Sequence, residues 1–188
     1  YWAHQGRWDN DYVDGSILKI SLADGTTTTL ATDQWGPYRV AVQSSSIYWV
    51  NAGSAEQGSS GSALMKMPVD GGAVTTLDAR AAGHGAIALD AAFIYWTSGD
   101  GTVMRMPLEG GAPVIMASSQ PGPVDIAVDV ASVYWVNRDD GTIMKLPLQG
   151  GSPTRLVSGQ PWIQALAVDA TSVYWTTLGT SENDYQDG

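Results

Sequence analysis

Short apolar runs alternate with polar turns along the whole chain. In one stretch the runs cover residues 124–128, 133–136, 142–148 and 154–157, and the segments between them are rich in Asp, Asn, Gly and Ser. Runs of about four to eight residues with many β-branched and aromatic side chains, bounded by turn residues, are typical of strands. The pattern therefore predicts four consecutive antiparallel strands in this stretch, joined by tight turns.

The same pattern recurs along the chain, and a Tyr-Trp dipeptide marks each copy. The dipeptides begin at Tyr1, Tyr48, Tyr95, Tyr134 and Tyr174, at intervals of 47, 47, 39 and 40 residues. A period of about 40–50 residues built from strands is typical of a β-propeller with one repeat per blade. The sequence therefore predicts an all-β propeller with four-stranded antiparallel blades. About four to five repeats would form a single domain over residues 1–188.

Two features recur at the same place in each copy, the Tyr-Trp dipeptide and a basic residue. Because neighbouring strand residues point to opposite faces, Tyr and Trp of one dipeptide should fill the gaps to different neighbouring blades. A basic residue also stands at one point of every third strand, where we expect it to face solvent and discourage edge pairing. These basic residues are Lys19, Lys66, Arg105 and Lys145.

The charge pattern excludes some partners. The chain of 188 residues has 9 Lys and Arg against 19 Asp and Glu, a formal net charge of −10. Nucleic-acid binding requires clustered Lys and Arg, and an anionic membrane surface would repel this chain, so we expect neither partner. No apolar run approaches the ~18 residues of a membrane-spanning helix, so no membrane insertion is expected. The absence of Cys rules out disulfides and thiolate metal sites.

A set of positions near the starts of the inner strands carries different residue types in different copies, unlike the recurring Tyr-Trp and basic positions. These positions lie near the expected mouth of the central channel. Such variety in residue type predicts a ligand site there. A hydrated rim without a ligand is the alternative. The loop after Tyr-Trp is also longer in the first, second and last copies, which favours a binding face on that side. The candidate ligand-binding residues are Tyr38, Arg39, His84, Asp125, Trp162 and Gln164.

A calcium site and a catalytic site are weaker hypotheses. Asp9, Asp11 and Asp14 precede Gly15 in the densest acidic loop, and Ca²⁺ prefers clustered carboxylate oxygens. Their spacing departs from the EF-hand loop, so a solvated turn is the alternative. His84 and Asp125 would suit a general base and its orienting carboxylate if they converged. No Ser/His/Asp arrangement is recognisable, and we assign no catalytic residue.

The residues around the repeated dipeptide resemble a known family. Residues 165–176 read Ala-Leu-Ala-Val-Asp-Ala-Thr-Ser-Val-Tyr-Trp-Thr, which resembles the YWTD, or low-density lipoprotein receptor class B, β-propeller repeat. The repeats are also similar to those of secreted bacterial propellers. The resemblance covers essentially the whole chain and implies a propeller in an extracellular or cell-surface protein, although no signal peptide is visible. The family's Asp after Tyr-Trp-Thr is replaced here by His4, Asn51, Ser98, Asn137 and Thr177.

These observations favour binding over catalysis. We expect a non-catalytic binding or scaffold propeller that recognises a protein or a glycan through the face bearing the long loops. The loop aromatics Trp8, Trp35 and Trp162 suit sugar stacking or protein anchoring. Two alternatives stay open. One is a propeller lyase or hydrolase with a channel-mouth site, with or without calcium, and the other is a purely structural repeat array.

The two ends of the chain carry the same part of the repeat. Residues 1–15 and 174–188 each run from Tyr-Trp to the Gly before a third strand. An open arc of blades would expose unpaired strand edges and apolar blade faces. We therefore expect the chain to be part of a larger ring, completed by self-association or by further repeats.

Overall fold

The regular structure of the described part of the chain consists of β-strands. The computed structural model describes residues 1–7, 13–53, 62–79 and 85–178. Within those ranges no helix is long and apolar enough to cross a membrane. The described residues form two compact units, Tyr1–Gly85 and Ala86–Gly188. The single domain predicted for residues 1–188 stays a prediction.

The first unit contains two antiparallel sheets. Its strands are Trp2–His4 (β1), Gly15–Ile20 (β2), Thr27–Gln34 (β3), Pro37–Gln43 (β4), Ser46–Asn51 (β5), Ala63–Pro68 (β6) and Thr75–Asp78 (β7). Strands β1 to β3 form a three-stranded sheet, and strands β4 to β7 form a four-stranded sheet, each in sequence order. Sequential pairing of neighbours is what tight hairpin turns produce.

The second unit contains three antiparallel sheets. Its strands are Ile87–Leu89 (β8), Phe93–Ser98 (β9), Thr102–Pro107 (β10), Val114–Ala117 (β11), Pro123–Val128 (β12), Ser132–Asn137 (β13), Thr142–Pro147 (β14), Thr154–Val157 (β15), Ile163–Val168 (β16) and Val173–Thr177 (β17). Strands β8 to β11 and β12 to β15 form four-stranded sheets, and β16 pairs with β17. The predicted all-β fold with four-stranded antiparallel blades is confirmed.

The Tyr-Trp dipeptides of the three four-stranded sheets lie in the second strand of their sheet and are buried. Trp49, Trp96 and Trp135 are 0%, 1% and 0% exposed. Tyr95 of one sheet and Trp135 of the next belong to the same hydrophobic cluster, so the two ring types point to opposite faces of a sheet. The predicted packing role is confirmed for these three dipeptides, whereas Trp2 and Trp175 are 39% and 38% exposed. Burial of such a Trp stabilises the fold by several kcal/mol, about 3–5 as judged by truncation to Ala.

An aspartate closes the turn between the first and second strands of several sheets. Asp129 Oδ1 accepts hydrogen bonds from the N–H groups of Ala131 and Ser132, both at 2.7 Å. Its Oδ2 accepts the hydroxyl of Tyr134 at 2.8 Å. Asp129 therefore closes an Asx-turn, and the Tyr134 hydroxyl is tied to it. The same contacts recur around Asp90 and Asp169.

Two of the basic residues of the third strands, Lys19 and Arg105, join neighbouring sheets, a role beyond the solvent-facing one predicted for them. Lys19 Nζ donates to the carbonyl of Val69 at 3.2 Å, and Arg105 Nη1 donates to the carbonyl of Leu148 at 3.1 Å. Each carbonyl lies in the turn after the third strand of the next sheet. The Arg105 guanidinium also lies 5.1 Å from the Phe93 ring centroid. Both side chains are partly buried.

A glutamine side chain links neighbouring sheets through the buried Trp. Gln120 Oε1, after the last strand of the β8–β11 sheet, accepts the indole N–H of Trp135 at 2.9 Å. The same oxygen accepts Asn137 Nδ2 at 3.1 Å. The first unit repeats this arrangement with Gln34, Trp49 and Asn51. These contacts form an inter-blade polar network in which Asn51 and Asn137 occupy the position of the Asp of the YWTD repeat.

Candidate functional site

A cleft opens at the end of the second unit where β13 ends and β16 begins. One wall is residues 138–141, the loop between β13 and β14, and the other is residues 159–162, the segment that leads into β16. Its volume of about 400 Å³ lies within the range of small-molecule binding sites. We call it the Trp162 cleft, because this side chain is 54% exposed in its wall.

Backbone hydrogen bonds hold both walls of the Trp162 cleft in place. The N–H of Gln160 donates to the carbonyl of Gly141 at 3.1 Å, which joins the two walls directly. The N–H of Arg138 donates to the carbonyl of Gly122 at 2.9 Å and fixes the first wall to the preceding segment. The N–H of Leu178 donates to the carbonyl of Trp162 at 3.2 Å. The backbone of the cleft is therefore built into the repeat.

Gly141 is required for this close approach. A Cβ atom at Gly141 would collide with the backbone carbonyl of Gln160. Its φ of +61° also lies in the left-handed region, which Gly adopts without steric cost. The close approach of the two walls thus depends on Gly141, which has no side chain. Trp162 is the aromatic residue of the lining.

Trp162 has an unusual backbone conformation for a bulky residue. Its φ is +48°, in the left-handed region that costs an L-residue about 1–2 kcal/mol. Three repeats share a hydrogen bond from the residue after the second strand to a carbonyl just before the first strand. The donor and acceptor residues are Ala52 and Gly36, Arg138 and Gly122, and Leu178 and Trp162. Gly36 and Gly122 have φ values of +59° and +63°. Trp162 therefore occupies a position that two other repeats fill with Gly.

The polar groups of the Trp162 cleft are one cation and two carboxylates. Arg138 is half-buried, and its buried Nε–H has no hydrogen-bond acceptor in the part of the chain that the structure describes. Asp139 and Asp140 are exposed. Asp140 Oδ1 is held by the N–H and the hydroxyl of Thr142, at 3.2 and 2.7 Å. The cleft thus offers hydrogen-bond donors and acceptors beside an aromatic face.

Gln164 lies close along the chain to this cleft, at a β-bulge. The pairing of β16 with β17 shifts between Ile163 and Ala165, so Gln164 is the extra residue. Tyr38 is at the matching bulge of the first unit, between Pro37 and Arg39. Bulges re-aim side chains and are frequent beside functional sites. The sequence predicted these residues as site candidates without indicating the bulge.

The other rim candidates have different surroundings. Asp125 is buried, and its Oδ2 accepts the N–H of Leu166 at 2.7 Å, a bond between the inner strands β12 and β16. Arg39 lies in the first unit with its guanidinium 5.3 Å from the Tyr38 ring centroid. His84 lies outside the described residues. A common ligand site for these positions stays a prediction.

The predicted calcium loop is described only in part. Asp14 Oδ1 accepts the N–H of Arg7 at 2.8 Å, and its Oδ2 accepts Arg7 Nε at 3.1 Å. These hydrogen bonds from Arg7 hold the pKa of Asp14 below its ordinary value. Asp9 and Asp11 lie outside the described residues. The calcium site therefore stays a prediction, and Arg7 would compete with the ion for Asp14.

Comparison with solved structures supports the propeller fold. The chain is similar to a nidogen/laminin complex structure at 15% identity over 89% of this chain and 83% of that one, with a TM-score of 0.63. It is similar to a streptogramin B lyase at 19% identity over 90% of this chain and 57% of that one, with a TM-score of 0.70. It is also similar to the computationally designed Ika4 protein at 16% identity, covering 77% and 86%, with a TM-score of 0.65.

These similarities concern the fold alone, because all three identities are low. No family model matches the chain, and no curated protein matches it. The chain spans little more than half of the streptogramin B lyase chain. The blades observed here and these neighbours together identify the fold as that of a β-propeller.

Proposed function

We propose that this chain is a ligand-binding propeller module, and that the Trp162 cleft is its binding site. The module recognises a protein or a glycan at the strand ends where the loops after Tyr-Trp lie. The repeats are YWTD-like, and such a module belongs in an extracellular or cell-surface protein. The YWTD resemblance and the nidogen/laminin neighbour support this reading, since laminin binding by that neighbour is an interaction between proteins.

The observation that carries the proposal is the backbone of Trp162. A bulky side chain stands there in a conformation that two other repeats assign to Gly, and its ring is exposed rather than packed. A residue held in a sparsely populated backbone conformation costs about 1–3 kcal/mol. Residues held in such conformations cluster at ligand sites, where a compensating interaction retains them.

The wider surroundings of Trp162 suit binding. The walls are fixed by backbone bonds, so a ligand does not have to order them on binding. Trp and Arg are the residue types that most often dominate binding energy, and both line this cleft. Gln164, two residues after Trp162, adds an amide at a bulge on the same edge.

A lyase or hydrolase is the second candidate function, favoured by the similarity to streptogramin B lyase. In this candidate, His84 would be the general base and Asp125 the carboxylate that orients it. The carboxylate of Asp125 accepts a hydrogen bond from the N–H of Leu166, so one of its oxygens already has a structural partner. An activity screen with His84→Ala separates this candidate from binding, because the binding module requires no turnover.

The proposed function is tested by comparing wild type with Trp162→Gly on an array of glycans and peptides. Gly suits the backbone at this position, so the variant should fold as the wild type does. We expect array signals of the wild type to be lost in Trp162→Gly and retained in Trp2→Ala, a matched exposed Trp in the first unit. Signals that are equal in the wild type and Trp162→Gly would contradict the proposal.

A further inference from the structure

We infer that the ligand class of the Trp162 cleft is a neutral oligosaccharide. This inference rests on the proposed function and specifies it. It depends on three properties of the cleft, namely its aromatic surface, its set of hydrogen-bonding groups and its balance of charge.

The aromatic surface is the exposed indole of Trp162. The face of an aromatic ring carries negative potential, and the C–H groups on one face of a pyranose ring are weakly positive. Stacking of the two removes apolar surface of both partners from water. The left-handed backbone sets the direction of the Cα–Cβ bond from which this indole extends.

The hydrogen-bonding groups match hydroxyls. Arg138 lines the cleft and is half-buried, and its guanidinium only donates hydrogen bonds, so a hydroxyl oxygen would serve as its acceptor. The exposed carboxylate of Asp139 accepts hydrogen bonds only, and a hydroxyl hydrogen would satisfy it. A saccharide presents adjacent hydroxyls that both donate and accept, so one ligand can serve a donor and an acceptor in the same cleft.

The balance of charge disfavours ionic ligands. Arg138 contributes one positive charge, and Asp139 and Asp140 contribute two negative charges, in a chain with a formal net charge of −10. A phosphate, sulfate or uronate would meet two carboxylates, while a Lys or Arg side chain only donates hydrogen bonds and offers no acceptor to Arg138. A neutral ligand has neither conflict.

The test is calorimetric titration of the wild type, Trp162→Gly, Arg138→Met and Trp2→Ala. The probes are neutral hexasaccharides of glucose, mannose, xylose and N-acetylglucosamine, an oligogalacturonate and an oligolysine peptide. We expect one or more neutral hexasaccharides to bind wild type and Trp2→Ala. Trp162→Gly should lower that affinity by about tenfold or more, and Arg138→Met should also lower it. The affinity should change little between ~0.05 and ~0.5 M salt, because screening weakens only charged contacts.

The outcomes separate the inference from the function on which it rests. Binding of oligogalacturonate or oligolysine that is weakened by salt and lost in Trp162→Gly would overturn the neutral class and leave the binding function standing. No binding of any neutral hexasaccharide at millimolar concentration would overturn the saccharide class, and peptide signals on the array that depend on Trp162 would leave the binding function standing. Saccharide binding that is equal in wild type and Trp162→Gly would overturn both.

Discussion

Gln120 stands 15 residues before Trp135 and accepts its indole N–H at 2.9 Å across two neighbouring sheets. The same separation of 15 residues joins Gln34 to Trp49 and Gln160 to Trp175. The amide therefore serves as the acceptor that a buried Trp requires. It also makes each indole part of the contact between successive blades.

Replacing Gln120 by Ala should destabilise the protein by about 1–3 kcal/mol. The change leaves the buried indole N–H of Trp135 and an N–H of Asn137 without their common acceptor. Urea unfolding measures the effect. Gln160→Ala is the matched control, because Trp175 is 38% exposed and water can replace the amide. Equal losses of stability in the two variants would contradict the role given to burial.

Replacing Arg105 by Met should cost about 1 kcal/mol of unfolding free energy. The change removes the charged donor to the Leu148 carbonyl and the contact with the Phe93 ring, while it keeps a similar aliphatic stem. Arg155→Met is the control, because Arg155 is exposed on the fourth strand. Thermal unfolding of both variants decides whether the basic residue joins the sheets or only faces solvent.

The fold was accessible from the sequence because its signals are local and repeated. Alternating apolar residues specify strands, Gly and Asp specify their turns, and burial of Tyr-Trp follows from two covered sheet faces. The strands predicted at 124–128 and 133–136 correspond to β12 and β13. The sequence places a Gln 15 residues before Trp49, Trp135 and Trp175. This spacing alone does not predict a hydrogen bond, because an amide side chain in a loop is common without any such contact.

The candidate site was accessible only in part. The sequence predicted Trp162 and Gln164 as rim residues, since their chemistry differs from that of other repeats. It did not indicate Arg138 and Asp139, because a charged loop after a strand is ordinary. The sequence also did not predict the left-handed backbone conformation of Trp162. Alignment with Gly36 and Gly122 would have suggested it, yet the conformation of a non-Gly residue depends on the hydrogen bonds around it.

The ionisation of Asp169 should make part of the free energy of unfolding depend on pH. Hydrogen bonds from the N–H of Thr171, then from the Tyr174 hydroxyl and the N–H of Ser172, lower its pKa from 3.8 to about 2. Because the unfolded state binds this proton more tightly, the ionised carboxylate stabilises the fold above pH 3.8. That contribution is lost as the pH falls toward about 2.

Asp169→Asn should therefore be less stable than wild type at pH 5, with a difference that narrows toward pH about 2. Urea unfolding across this range is the measurement. A constant difference between Asp169→Asn and wild type at all pH values would contradict the hydrogen-bond assignment.

Calcium should raise the melting temperature if Asp9, Asp11 and Asp14 bind it, because a ligand of the folded state stabilises by mass action. The measurement is thermal unfolding with millimolar calcium and with chelator. Arg7→Ala should strengthen the calcium effect by releasing Asp14. A melting temperature unchanged by calcium in both proteins would leave the solvated turn as the correct interpretation.

Gly122→Ala tests the left-handed position in a repeat that keeps its Gly. The backbone φ there is +63°, and an added Cβ would also meet the carboxylate of Asp139. The substitution should cost about 1–2 kcal/mol in urea unfolding. No loss of stability would show that this position does not penalise side chains.

The free energy of unfolding of Trp162→Gly, compared with that of wild type without ligand, tests the central claim most directly. A Trp retained for a ligand rather than for the fold can be removed without loss. Relief of the left-handed strain offsets the greater freedom of Gly in the unfolded chain, which is about 1 kcal/mol. We predict a stability equal to or above that of wild type. A loss of about 2 kcal/mol or more would show that Trp162 is a structural residue and would contradict the binding role.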